Sequence, residues 1–180
     1  MPRVFLAIPL DHVTRSAMTS VTIPCKDGLR PIHTDNLHMT LHFLGEVPEP
    51  ALRILRQTLR HLRAVRFTLR FSGAGRFGGD GRQEILWVGV DQHPKLTELQ
   101  ARIGDCLHSL DMAVEARPYS PHLTIARTRK SSPETAQTFI QANADFHQSM
   151  PVVEFCLFAS IPSEDGHRYQ IIESFPLSAG

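Results

Sequence analysis

Two short segments of this chain set polar side chains at every second position of an otherwise apolar run: NLHMTLHFLGEV at 36–47 and SPHLTIAR at 120–127. That alternation has the period of a β-strand, where successive side chains leave on opposite faces. Read as strands, the first sets His38, Thr40 and His42 against Leu37, Met39, Leu41 and Phe43. The second sets His122, Thr124 and Ala126 against Leu123 and Ile125. The two histidine pairs lie nearly half a chain apart, and each follows a strand and a helix in the same order. A duplicated arrangement of that kind brings two like strands to face each other across a cleft.

The rest of the chain supports this plan. Strands are expected at 3–8, 37–44, 65–72, 84–90, 121–127, 151–160 and 167–173. Leu52, Leu55, Leu59 and Leu62 recur at helical spacing over 48–63, beside a stripe of Arg53, Arg56, Arg60 and Arg63. Leu96, Leu99, Ile103, Leu107 and Leu110 do the same over 94–110, with Pro94 suited to a first turn. Shorter helices are expected at 11–21 and 133–142. Strands and helices mix without the strict rhythm of a doubly wound sheet. The expectation is an α+β fold in one domain, 1–180: two pseudo-symmetric lobes of antiparallel or mixed sheet, with flanking helices, around a central cleft.

Composition narrows the function classes. The net charge of +1 gives no general pull toward nucleic acid, so any RNA partner is met locally, in a small basic cleft. No apolar run approaches the roughly 20 residues of a membrane span, and the opening MPRVFLAIPLDHV reads as a first strand, not a signal peptide. Cys25, Cys106 and Cys156 are far apart and form no C-x-x-C pair, which argues against disulfides or a zinc site and fits the cytoplasm. A monomer is expected.

A His-x-Thr triplet by itself is weak, and a half-exposed strand with a polar outer face accounts for many of them. The chain supplies its own controls. His12-Val13-Thr14 falls where a helix is expected, so its two side chains diverge. His147-Gln148-Ser149 sits in what reads as a loop. Only His38/Thr40 and His122/Thr124 put both groups on one strand face with an apolar face opposite. Two imidazoles on either side of a phosphorus, one as base and one as acid, suit displacement at a phosphodiester, and each threonine hydroxyl can donate to a phosphate oxygen. Neither metal, cofactor nor covalent nucleophile is required. His38 and His42 are about 13 Å apart along a strand, too far for one ion, and His42 is expected to be structural. GAGRFG at 73–78 matches a dinucleotide-loop pattern but leads into a strand, not a helix, so it reads as a hairpin connection. The arginine stripe reads as a solvated helix face. Arg127, at the end of the second segment and one step past the face of Thr124, is a candidate phosphate clamp.

With these residues in view, the chain resembles the two-histidine (2H) phosphoesterases, specifically the bacterial RNA 2′,3′-cyclic phosphodiesterases of the LigT/ThpR type, historically called 2′-5′ RNA ligases. VFLAIPL, NLHMTLHFLGEV, EILWVGV and YSPHLTIAR stand in the order that family has, nearly end to end. The resemblance implies two lobes around a cleft and metal-independent hydrolysis of 2′,3′-cyclic phosphate RNA ends to 2′-phosphomonoesters, with RNA ends or nucleotides carrying that phosphate as substrate. It implies His38 as proton donor to the departing 3′ oxygen, His122 as the base that activates water, and Thr40, Thr124 and Arg127 as phosphate ligands. Ser120 stands where relatives often carry a basic residue, and the aromatic before it is Tyr119, a candidate for stacking or packing. Phe43 is expected in the core. Two alternatives stay open at this point: a phosphodiesterase of small cyclic nucleotides or metabolites, and a nucleotide-binding module without turnover.

Overall fold

Alternating and helical segments become, among the residues 3–24, 28–78, 84–128, 133–164 and 166–179 that the computed structural model describes, nine strands and four α-helices. In chain order these are β1 (Arg3–Pro9), α1 (His12–Ala17), β2 (Leu29–Pro31), β3 (His38–Glu46), α2 (Glu49–Arg60), β4 (Phe67–Phe77), β5 (Glu84–Val90), α3 (Pro94–Ser109), β6 (His122–Thr128), α4 (Pro133–Ala142), β7 (His147–Val152), β8 (Glu154–Ser163) and β9 (Gly166–Pro176). Cys25 and GDGRQ at 79–83 lie outside the described residues.

The strands form two sheets, four strands in the order β3-β1-β8-β9 and five in the order β2-β6-β5-β4-β7. Every ladder in both is antiparallel. The two sheets are related in pattern. In each, the strand that opens with a His-x-Thr pair forms a ladder with an earlier strand reached through a helix: β3 with β1, and β6 with β5. The C-terminal hairpin β8–β9 completes the first sheet, so the first lobe is assembled from both ends of the chain.

The main core lies between sheets and helices. Leu52, Leu55 and Leu59 of α2 and Leu96, Leu99, Ile103 and Leu107 of α3 are buried on it, as their spacing predicts. β1 is buried on both faces: Val4, Leu6 and Ile8 enter the main core, while Phe5 and Ala7 join a smaller cluster with Cys156 and Phe158. That second cluster, on the face of β1 away from the main core, has Tyr169 packed against it.

The structure corrects several local expectations. GAGRFG is not a connection: Gly73 to Phe77 continue β4, and Gly75 pairs with Trp87. The indole covers Gly75 so closely that a Cβ there would fall 2.2 Å from a ring carbon, which is why a glycine stands mid-strand. His147-Gln148-Ser149 is the start of β7, paired with β4, not a loop. The run at 151–160 is divided between β7 and β8. α1 ends at Ala17 and passes into a single 3₁₀ turn, Met18–Ser20, short of the expected 11–21 helix.

Candidate active site

His38 and His122 occupy the same place in their lobes, the first residue of β3 and of β6. Each ring is held in the same way. His38 Nδ1 lies 2.7 Å from the carbonyl of Asn36, and His122 Nδ1 lies 2.8 Å from the carbonyl of Ser120. A carbonyl only accepts, so in both rings the proton sits on Nδ1 and is donated to the residue two places back. Nε2 is thereby left as the working nitrogen of each ring, a lone pair when neutral and a donor when charged.

Aromatic walls back both rings. His38 packs against Phe5 at 4.7 Å and meets Tyr169 edge-on at 5.1 Å and 85°, with Phe158 at 6.0 Å. His122 meets Phe77 edge-on at 4.8 Å and 85°, with Trp87 at 6.4 Å. None of these five was singled out as a site residue from sequence. The available signal was strand phase: Phe5 lies on β1, next to β3, and Trp87 lies on β5, next to β6, each on the face its partner's histidine shares.

Paired β-bulges set which side chains reach that face. The register of β1 with β3 slips between Leu6 and Ala7, so Thr40 stands opposite Ala7 and His42 opposite Leu6, with Leu41 left over. The register of β5 with β6 slips between Leu86 and Trp87, so Thr124 stands opposite Trp87 and Ala126 opposite Leu86, with Ile125 left over. An extra residue on one strand reverses the phase of everything beyond it. His42 therefore turns into the core, 3% exposed, where its Nε2–H donates to the carbonyl of Gln100 on α3 at 2.8 Å. It does not share a face with His38 and Thr40, contrary to the strict alternation, though its structural role is as expected. Ala126 likewise turns inward and is fully buried. Arg127 takes the face of His122 and Thr124 in its place, opposite Ile85. Phe43 takes the matching position in the first lobe, opposite Phe5, and is 62% exposed, not a core residue.

The charges of both lobes act on one space. Arg127 lowers the pKa of His38 and of His122, and His122 lowers that of His38. Burial is the largest cause for both: together with Arg127 and His122, and against the raising effect of the Asn36 carbonyl, it brings His38 from its ordinary 6.5 to about 4. His122 is lowered too, by burial and then Arg127, with the Ser120 carbonyl opposing. Tyr119 ties the lobes directly, its hydroxyl donating to the carbonyl of Thr40 at 3.1 Å, and burial raises its own pKa. His38, His122 and Arg127 thus lie within electrostatic reach of one another, and Thr40 and Thr124 follow the histidines on the same faces of β3 and β6. Among the described residues no three His, Cys, Asp or Glu side chains are grouped to hold a metal ion, and no helix is long and apolar enough to cross a membrane.

Comparison with known proteins agrees with this geometry. The family model of the 2′-5′ RNA ligase superfamily matches residues 12–160. The RNA 2′,3′-cyclic phosphodiesterase of Archaeoglobus fulgidus is 28% identical over 175 residues, spanning 96% of this chain and 99% of its own. That of Escherichia coli K12 is 29% identical over 186 residues, spanning 98% and 97%. The crystal structure of E. coli LigT complexed with 3′-AMP superposes with a TM-score of 0.82 at 28% identity, over 98% of both chains.

Proposed function

Since the chain belongs to the 2′-5′ RNA ligase superfamily, we propose that it hydrolyses 2′,3′-cyclic phosphodiesters at RNA ends to 2′-phosphomonoesters, using His38 and His122 and no metal. Relatives named RNA 2′,3′-cyclic phosphodiesterase support the activity at nearly full length. The observation that carries the mechanism is the matched pair of rings, each with Nδ1 engaged and Nε2 available, on equivalent strands whose charges meet at Arg127.

In the proposed reaction His122 Nε2 takes a proton from water as the water oxygen bonds to phosphorus. The bond from phosphorus to the 3′ oxygen breaks, and His38 Nε2–H protonates that oxygen, leaving a 3′-hydroxyl and a 2′-phosphate. The Thr40 and Thr124 hydroxyls and the Arg127 guanidinium hold the non-bridging oxygens, where charge builds as the fifth bond forms. Burial and the Arg127 charge disfavour the protonated form of both imidazoles in the free site. The proton that His38 donates is therefore taken up from solvent as the anionic substrate binds, its charge offsetting that of Arg127.

The direct test offers 2′,3′-cyclic mononucleotides, RNA oligomers ending in a cyclic phosphate and 2′-5′-linked RNA side by side and identifies the products. Conversion of the RNA ends to 2′-phosphates is expected. A 3′-phosphate product, or turnover of the mononucleotides with none of the RNA, contradicts the proposal.

A further inference from the structure

Asn36 closes a loop of contacts that runs through His38. Its main-chain carbonyl accepts the His38 Nδ1–H at 2.7 Å. Its side chain crosses to the opposite edge of the same sheet, where Nδ2 donates to the carbonyl of His167 at 2.7 Å and Oδ1 accepts from the Tyr169 N–H at 3.1 Å. Tyr169 in turn sets the edge of its ring against the His38 imidazole. β3 and β9 are the two outer strands of the four-stranded sheet, so no ladder hydrogen bond joins them. The Asn36 amide spans edges that the sheet leaves apart. Its own N–H donates to the carbonyl of His33 at 2.8 Å, which engages every polar group of the residue.

We propose that Asn36 is the positioning residue for His38: its carbonyl fixes the tautomer and rotation of the ring, and its amide holds the β8–β9 hairpin as the wall against which the ring rests. This rests on His38 being the acid of the proposed reaction, but its primary readout does not. The groups facing His38 are His122 and Arg127 from β6 and Tyr169 from β9. If the hairpin is released, water reaches the ring and the desolvation that lowers its pKa is relieved, while His122 and Arg127 stay where they are.

The test is an NMR titration of the histidine rings in the intact protein and in Asn36→Ala, which keeps the carbonyl and removes both side-chain bonds. The His38 midpoint is expected to rise by about one unit, toward its ordinary value, with that of His122 unmoved. kcat on a cyclic phosphate is expected to fall about tenfold or more, with a smaller change in KM, as a misplaced catalytic group requires. An unchanged His38 titration in the folded variant overturns the proposal, as does an equal shift in both rings, which would mean general loosening. If Asn36→Ala cannot be purified, Asn36→Ser is titrated instead, its side chain being too short to reach β9. Failure of both to fold makes Asn36 a folding residue and also overturns the proposal. A wild-type protein inert toward cyclic phosphates would refute the reaction, while the titration still decides the role of Asn36.

Discussion

A histidine whose Nδ1–H is bound to a carbonyl has one nitrogen left for chemistry, and its working pKa is set by what surrounds the ring. Around His38 and His122 burial dominates and Arg127 adds to it, so both bind protons less readily than free imidazole. The consequence for rate has a definite sign. The reactive form of the free enzyme carries one proton on the pair, and lowered pKa values confine that form to the acid side. kcat/KM should therefore peak below pH 6.5 and fall toward neutrality, while kcat, which reports the complex with its added negative charge, should hold to higher pH. Coincident profiles with a neutral optimum would contradict the electrostatics described. The roles of the two rings separate with leaving group: a substrate with a much better leaving group should largely rescue His38→Ala but not His122→Ala. Rescue of His122→Ala alone would exchange the assignments. Thr40→Ala and Thr124→Ala should cost less than either histidine, about 1.5–3 kcal/mol for one hydrogen bond to a charged group. At this scale the sequence was most legible, because His-x-Thr on a strand is visible as spacing. The carbonyls of Asn36 and Ser120 were not, since any residue type supplies one.

The bulges in β3 and β6 decide which side chains share the face of His38 and of His122. Each follows its threonine by one residue and each exchanges the expected third position for the next one, His42 for Phe43 and Ala126 for Arg127. Strict alternation could not show this, because a bulge is specified by pairing with the neighbouring strand and not by the bulged segment itself. The same limit explains GAGRFG: Gly75 is an interior strand residue only because Trp87 lies across it. Gly75→Ala should thus be felt at the site. Overpacking of about 1–3 kcal/mol is expected from denaturant unfolding, and the emission of the single tryptophan should shift as the indole moves away from His122. An alanine variant of unchanged stability and emission would mean the indole is not seated as described. The leucines of α2 and α3, by contrast, were read correctly from spacing alone, since a helix face needs no partner to define its phase.

The molecule as a whole presents the His-x-Thr pair twice, in lobes whose strands are drawn from distant parts of the chain. Helices and side chains tie the lobes together: α3, which joins β5 to β6, meets β3 through His42, and Tyr119 meets β3 through Thr40. The arginine stripe of α2 belongs to this framework in part, since Arg56 and Arg60 both pair with Glu173 of β9. Sequence order foretold the two lobes through the repeated strand-helix-strand pattern. It did not foretell that β8 and β9 complete the first lobe, because a strand's sheet partners are set by tertiary packing. Activity on a cyclic phosphate should survive exhaustive chelation; loss to EDTA with recovery on adding one divalent ion would assign the chemistry to a metal. The central claim is that both lobes act on the same phosphorus, and the measurement that tests it most directly is kcat/KM for 2′,3′-cyclic phosphate hydrolysis by His38→Ala and His122→Ala, each confirmed to be folded. Each should lose about 10²–10⁴-fold, the usual worth of one general acid or base, and full activity in either variant would show that one lobe suffices and contradict the account.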